Sequence, residues 1–515
     1  MRKITLLTFL FLTVSAFSQN FEWVKTPPIT FNGNGDLIGY STACDPSGDI
    51  YIAGFKENTF LHGGVYGDMM YNKYNAAGEL LFSKTFTGHA AIYDMTSDSD
   101  GNILVSAGYV NIFSVDNLQL STTEQGTQNL LLKFDSQGNL LWHQQFEIED
   151  WIECTFHSVT TDADNNIYVG YYDFMNSYIK KLAPDGTTLL TIPQMNVRMI
   201  SSLSVDDAGN IYAAGSCADP DSSFDGVSVP PNFDYNTFVV KYAPSGAYQW
   251  VRFVDDITCT TPQVVARAPD EIYFSSYLFG NYMFDDIQSE GPNSMFSDIF
   301  ITRLNSEGVF QWMREVPGDG VVKIGTRRYL SADDAGNVYF VGSTRFTINW
   351  NDQITTSVAG FSENALILQY DKNGNLLMAK TAGGESNDRI DAVEISPTGE
   401  ILIAGMARAN ASFDGFQFEA EPFQYWPFLA KMTNVALGTK MHETQNIGFY
   451  PNPTSDFINV AGNVRNISGK IYNMLGQEVM DFEIGSEHPA AIHLLPKGTY
   501  LIKPNGSKAT KLIKN

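Results

Sequence analysis

Positive charge is scarce in this sequence: 32 Lys and Arg stand against 57 Asp and Glu, for a formal net charge of −25. That balance argues against nucleic acid or an anionic membrane surface as the main partner. Charged residues of both signs make up only 17% against 43% hydrophobic, too apolar for a disordered chain. Past the N-terminus no apolar run reaches the roughly 18 residues of a membrane helix, so no membrane span is expected. Cysteine is limited to Cys44, Cys154, Cys217 and Cys259 with no CxxC, which leaves a zinc knuckle or thioredoxin-like site without support. The seven His lack metal-ligand spacing, and HExxH, GxSxG, GxxxxGK and a dinucleotide fingerprint are all missing. No catalytic residue, metal or cofactor is assigned.

What is plentiful is 43 Gly, 35 Phe and 25 Tyr, the composition of short strands joined by tight turns. At 515 residues the chain exceeds one ordinary single-core domain. Met1-Arg2-Lys3 followed by the apolar run from Ile4 to Val14 and by Ala16-Phe17-Ser18 predicts a signal peptide over residues 1–18, cleaved after Ser18.

One phrase then recurs: a turn of the type Asp-x-x-Gly-Asn leading into Ile-Tyr-Val-x-Gly. It starts at Asp45, Asp98, Asp162, Asp206, Ala268, Asp333 and Ser396, seven copies in all. The intervals of roughly 44 to 66 residues suit propeller blades with variable insertions. A second phrase falls between copies, as in LLLKFDSQGNLLWHQQF from Leu130 and FVVKYAPSGAYQWVRF from Phe238. It is a strand ending in Lys or Arg, a Gly turn, then an aromatic-rich strand. Each period therefore holds four antiparallel strands, and seven periods predict an all-β, seven-bladed propeller over residues 19–437. The last blade stops after FLAKMTN from Phe428, while Phe21-Glu22-Trp23-Val24-Lys25 resembles the missing fourth strand. The N-terminal strand is expected to complete the last blade from outside and close the ring. The recurring Trp142, Trp250 and Trp312 are expected to pack between outer strands.

The segment GGESNDRIDAVEISPTGEILIAG, from Gly383, resembles the bacterial seven-bladed β-propeller repeat abbreviated SBBP. The likeness implies the fold and no particular chemistry.

After a linker at 438–446 the composition changes, and residues 447–515 predict a small β-sandwich of short strands between Gly and Pro turns. Its blocks are Tyr450-Pro451-Asn452-Pro453, a stretch ending at Gly476, Gly498 with Tyr500, and the terminal strand with Lys511. Together they resemble the type A sorting domain of the type IX secretion system of Bacteroidetes. The resemblance implies the type IX machinery as partner. It also implies a secreted or outer-membrane-surface location after export to the periplasm, by release or attachment.

Exported proteins permit disulfides, and four cysteines allow three pairings. Cys217–Cys259, joining neighbouring blades, is preferred, while Cys44 is expected as a buried thiol in an inner strand. The Asp-rich turns at Asp98 and Asp162 offer oxygen ligands to calcium, but Asp and Asn also favour turns by bonding local backbone, and the turn reading is preferred.

Ligand-binding chemistry is sought on the face carrying the strand 2–3 and strand 4–1 loops, where the insertions 216–236 and 276–297 fall. Ten residues before the central Ile or Val of each copy lies a ring position at the channel mouth. It reads Tyr40, Tyr93, His157, Ser201, Pro262, Arg328 and Asp391. With Trp151 and Arg327 in adjoining loops, the candidate ligand-binding residues are Tyr93, Trp151, His157, Arg327, Arg328 and Asp391. They either grip a glycan or protein ligand or cap the channel around ordered water. The expectation is a monomeric, non-catalytic binding module. The alternatives are a carbohydrate-active enzyme, with a pair such as Asp391–Glu385 as carboxylates, and a passive structural surface protein.

Overall fold

The computed structural model describes residues 19–28, 39–61, 64–122, 127–146, 155–173, 175–255, 261–291, 298–408, 410–418, 425–433, 449–460, 467–474, 477–484, 489–504 and 510–515. The chain divides into two compact units, one of them Gln19–Asn434 and the other containing Val435–Asn515.

The first unit is the expected propeller. Blade 4 shows the plan: Met199–Val205, Ile211–Cys217, Asn236–Tyr242 and Tyr248–Asp255 pair antiparallel in chain order. Blade 3 (Thr155–Thr161 to Thr188–Met195) and blade 5 (Gln263–Ala268 to Phe310–Glu315) repeat it. In blades 1 and 2 a single strand, Leu80–Ser97, serves twice. Its first half pairs with Gly64–Tyr74 as the fourth strand of blade 1, its second with Ile103–Val115 as the first strand of blade 2. The inner strand of blade 6 is broken into Val321–Ile324 and Leu330–Ala332, with residues 325–329 between them. Blade 7 runs Arg389–Ile395, Ile401–Arg408, Tyr425–Met432 and then Phe21–Lys25, with Trp23 opposite Lys431 and Val24 opposite Ala430. The N-terminal strand closes the ring as expected.

The recurring residues explain why each period folds alike. In the turn of blade 4, Asp206 Oδ1 accepts the N–H groups of Ala208 (3.0 Å) and Asn210 (2.8 Å), and Oδ2 accepts the Tyr212 hydroxyl at 2.9 Å. The same Asp–Tyr bond recurs at Asp45–Tyr51, Asp162–Tyr168 and Asp333–Tyr339. Lys133 adds an ion pair to Asp98 at 2.9 Å. These carboxylates are saturated by their own turns and strands, which is the chemistry of an Asx turn.

The third-strand Lys and fourth-strand Trp act together between blades. Lys133 Nζ and Trp142 Nε1 both donate to the Pro184 carbonyl of blade 3, and Lys241 and Trp250 both donate to Ser306 of blade 5. Arg303 and Trp312 share Lys372 of blade 6 in the same way. Each acceptor lies in the next blade's second turn, whose Gly leaves room for the indole. A Cβ on Gly308 would stand 2.9 Å from Trp250, and one on Gly374 2.8 Å from Trp312. The recurring Trp residues thus pack between outer strands, as their regular spacing predicts.

Cys44 is a buried free thiol at the end of the inner strand Ser41–Cys44. Cys217 is also a buried free thiol, its sulfur 2.8 Å from Ser222 Oγ. Its proposed partner Cys259, like Cys154, lies outside the described residues.

The second unit contains a three-stranded and a four-stranded sheet, the latter ordered Glu478–Ile484, Ile467–Asn473, Gly498–Pro504, Thr510–Lys514. They enclose a core that includes Ile458, Ile471, Phe482, Ile502 and Leu512. The first sequence block is pinned to the last. Asn452 Nδ2 donates to the Lys511 carbonyl (2.7 Å), and Asn452 Oδ1 accepts the Ile513 N–H (2.9 Å). Pro451 and Pro453 both follow cis peptide bonds. Tyr500 is buried and its hydroxyl donates to the Pro496 carbonyl at 2.8 Å. Gly476 lies outside the described residues.

Candidate functional site at the channel mouth

The ring position has a backbone cause. Tyr93, His157, Ser201 and Asp391 each sit where the register of an inner strand slips by one residue against the second strand. A bulge re-aims a side chain without disturbing the rest of the ladder. In blades 4 and 7 the Gly that ends the repeat phrase makes room for the slip: a Cβ on Gly215 or Gly405 would strike the carbonyl oxygen of Met199 or Arg389. Tyr40 and Pro262 lie just before their strands, and Arg328 lies in the break of blade 6.

Two of the candidate residues are consumed by the ring itself. Arg328 crosses the channel: its guanidinium lies 2.9 Å from Asp94 Oδ2, 2.9 Å from the Val159 carbonyl and 3.6 Å from Glu394. It therefore ties blade 6 to blades 2, 3 and 7. The Asp94 side chain is 6% exposed and also accepts the Val159 N–H (3.0 Å) and the Ser158 hydroxyl (3.2 Å). Burial works against the Arg328 charge, but the Asp94 and Glu394 carboxylates outweigh it and raise its pKa. Burial also pushes Glu394 upward, with Arg328 pulling the other way. Asp391, 0% exposed, is held by Thr326 Oγ1 (2.7 Å), Arg389 Nε (2.7 Å) and the Tyr40 N–H (3.3 Å).

The remaining candidates come together. Tyr93 stacks on His157 with centroids 4.6 Å apart at 29°, and His157 packs on Tyr172 at 5.4 Å. The Tyr172 hydroxyl lies 3.4 Å from His157 Nε2. The Arg327 guanidinium stands over the Tyr93 ring at 5.8 Å, and its NH1 donates to the Thr326 carbonyl at 2.8 Å. Gly39 makes room for it, since a Cβ there would stand 2.5 Å from Arg327 Cζ. Arg327 Nε is buried without a hydrogen-bond partner, and no ion pair involves Arg327 among the described residues. Its two acidic neighbours are already engaged, Asp391 by Arg389 and Asp94 by Arg328. Burial lowers the Arg327 pKa, with Asp391 countering in part. Burial, reinforced by Arg327, pulls His157 down to about 4, so its imidazole is neutral at pH 7. Because these rings spend their faces on one another, the cluster offers a cation and polar edges more than a stacking platform. Trp151 lies outside the described residues.

Sequence reasoning missed Asp94 and Tyr172. Asp94 carried a signal, being an acid where other copies have Ser41, Ser158, Ser202 and Ala392. The long insertions also read differently in the structure. They fold into short hairpins, Ser223–Phe224 with Val227–Ser228 and Met283–Phe284 with Ile287–Gln288, and Ser412–Phe413 with Phe416–Gln417 forms the same device. Phe224, Phe284 and Phe413 are buried, and Asp225, Asp285 and Asp414 take positive φ at the turns. Asp285 accepts the Phe310 N–H at 2.9 Å and Asp414 the Phe21 N–H at 3.0 Å. The hairpins thus pack on the propeller, and the one inserted in blade 4 bridges two blades: Phe224 pairs with Gln194 of blade 3 while its ring packs on Phe238 of blade 4. The recurring phrase Phe-Asp was the sign of this in the sequence.

No curated protein matches the chain. Among solved structures it is similar to the Dos1 propeller, at 10% identity and a TM-score of 0.41 over 82% of this chain and 97% of that one. It is likewise similar to a catalytically inactive virginiamycin B lyase from Staphylococcus aureus with quinupristin, at 10% identity and 0.40 over 80% and 99%. A protein of unknown function from Bacteroides caccae is 14% identical at 0.30, over 66% and 80%. At these scores the likenesses add nothing to what the strand pairing already establishes. Residues 448–515 match the family described as Secretion system C-terminal sorting domain, so the C-terminal unit is a sorting domain of the type IX secretion system, and the protein is secreted or placed at the cell surface.

Proposed function

We propose that the propeller is a non-catalytic binding module for a glycan or protein ligand, with its site at the channel mouth around Arg327, Tyr93 and His157. On this reading residues 1–18 are a signal peptide, the mature monomer passes through the periplasm, and the sorting domain carries it out of a Bacteroidetes-like cell. The observation that carries the proposal is Arg327. A half-buried cation with no carboxylate partner among the described residues, set over the Tyr93 ring beside a neutral imidazole, gains an interaction when a ligand supplies an acceptor. The enzyme reading is weaker, because Asp391 is fully buried and already accepts three hydrogen bonds. The test is an array of glycans and surface proteins probed with the full mature chain. A selective ligand whose binding falls at least tenfold in Arg327→Gln supports the mouth. A ligand insensitive to that change, or no ligand at all, overturns it.

A further inference from the structure

The hairpin inserted between the second and third strands of blade 6 has an unusual residue at its entry. Phe346 takes φ 65°, the left-handed region that bulky side chains rarely enter. Among the described residues the other eight non-glycine residues with positive φ are all Asn or Asp. Blade 2 shows what the turn needs. There Asn111 (φ 61°) holds the same position, and in both blades the carbonyl of this residue accepts the N–H that closes the hairpin, from Thr122 at 2.8 Å in blade 2 and from Val358 at 3.0 Å in blade 6. Asn serves the fold, so Phe346 carries backbone strain for the sake of its ring. Yet the ring gains little from packing. Its aromatic neighbour is Phe361, with centroids 6.4 Å apart at 82°, and Phe361 is 84% exposed. Strain of this kind collects at ligand sites.

Polar groups of two kinds flank the pair. Lys323 and Arg345, the latter next to Phe346 in the chain, both bind Glu363, two residues past Phe361. Two cations thus share one carboxylate, and the Lys323 side chain is 46% exposed, with N–H groups left for another acceptor. The hairpin strands Thr347–Asn349 and Thr355–Ser357 add hydroxyl and amide groups. Thr347 pairs with Ser357 through their hydroxyls (2.9 Å), and Thr355 donates to Asn349 (3.0 Å). All four are exposed while Ile348 and Thr356 between them are buried, so the four lie on one face.

We infer that this surface of blade 6 is a subsite for an acidic saccharide, one whose pyranose ring carries a carboxylate. The weakly positive C–H face of the ring suits the negative π face of Phe361. The hairpin hydroxyls both donate and accept, as sugar hydroxyls do, and the carboxylate is bound by Lys323. The inference rests on the binding-module reading and deepens it. Lys323 stands four residues before Arg327, no more than about 14 Å along the chain, so a single oligosaccharide spans both cations.

The test is binding of the full mature chain to oligomers of glucuronate, galacturonate and mannuronate, with carboxyl-reduced oligomers as the control. An acidic oligomer is expected to bind, to weaken at least tenfold in each of Phe361→Ala, Lys323→Gln and Arg327→Gln, and to be lost when its carboxylates are reduced. Phe346→Asn should weaken binding while the melting temperature stays the same or rises, because Asn suits this φ. A lower melting temperature in that variant would make the Phe346 ring structural and overturn the inference. Equal binding of the reduced oligomers overturns it too. An oligomer sensitive to Arg327→Gln but indifferent to Phe361→Ala and Lys323→Gln overturns the subsite and leaves the mouth reading standing. The reverse pattern supports the subsite and overturns the mouth. A chain that binds no acidic oligomer overturns the subsite, and the mouth is then judged on neutral glycans and proteins.

Discussion

The indole N–H of Trp23, near the start of the chain, donates to the carbonyl of Ala76 in blade 1 at 3.2 Å, and Lys431 near the end of the propeller donates to the same oxygen at 3.1 Å. This is the Lys–Trp pair that joins blade 2 to 3, and blade 4 to 5, repeated at the seam. The ring is closed with the contact that holds its other blades together, so the seam is no weaker in kind than they are.

Trp23 is 5% exposed, whereas Trp142 is only partly buried. Trp23→Ala is therefore expected to cost roughly 3–5 kcal/mol, as truncation of a buried Trp does, and Trp142→Ala distinctly less. Equal losses in urea unfolding of the two variants would contradict this.

Replacing Arg328 with Ala leaves the Asp94 carboxylate buried without its cation. A loss of about 3–5 kcal/mol is expected, because breaking one side of a buried pair strands the other charge. The double variant Arg328→Ala/Asp94→Ala should recover part of that loss. Thermal melts that show additive damage instead would mean that the two side chains are not coupled across the channel.

Asp298 accepts the N–H groups of Ile299 and Val316 from a buried position, and burial pushes its carboxyl up to about 7. The folded state then holds this proton more tightly than the unfolded state, whose carboxyl ionises near 3.9. Stability from this group is full below about 4 and is lost as pH rises through about 7. Asn occupies the equivalent position in blades 3, 4 and 6. Asp298→Asn should raise the melting temperature at pH 8 and change it little at pH 5. A variant less stable than wild type at pH 8 would contradict the assignment.

His157, pulled down to about 4 by burial and by Arg327, should titrate well below an ordinary histidine when followed by NMR of its imidazole. The folded state gives up its proton more readily than the unfolded state, so this group lowers stability as pH falls from about 6.5 toward 4. Arg327→Gln should move the midpoint upward. An unchanged midpoint would show that Arg327 does not face the ring.

The architecture was legible because each blade repeats its own cues. The Asp turn, the Gly opposite the bulge and the Trp over the next blade's Gly all recur at fixed spacing, and the orphan strand around Trp23 could be matched to its copies. The mouth was legible only in part. That Tyr93 and His157 would meet follows from equivalent positions in adjacent blades. The engagement of Arg328 by Asp94 does not, because 234 residues separate them and the contact depends on the break in the inner strand of blade 6. The hairpins within the insertions were not legible for a different reason: variation in length hid a recurring Phe-Asp turn whose Phe is buried.

Closure by the N-terminal strand underlies the blade count and the mouth, and a crosslink tests it most directly. Val24 and Ala430 are paired across the seam. In a chain carrying Val24→Cys and Ala430→Cys, mild oxidation should form a disulfide between these positions and raise the melting temperature, while the buried thiols of Cys44 and Cys217 stay unreacted. A chain that forms no such bond while still folded would contradict the closed ring.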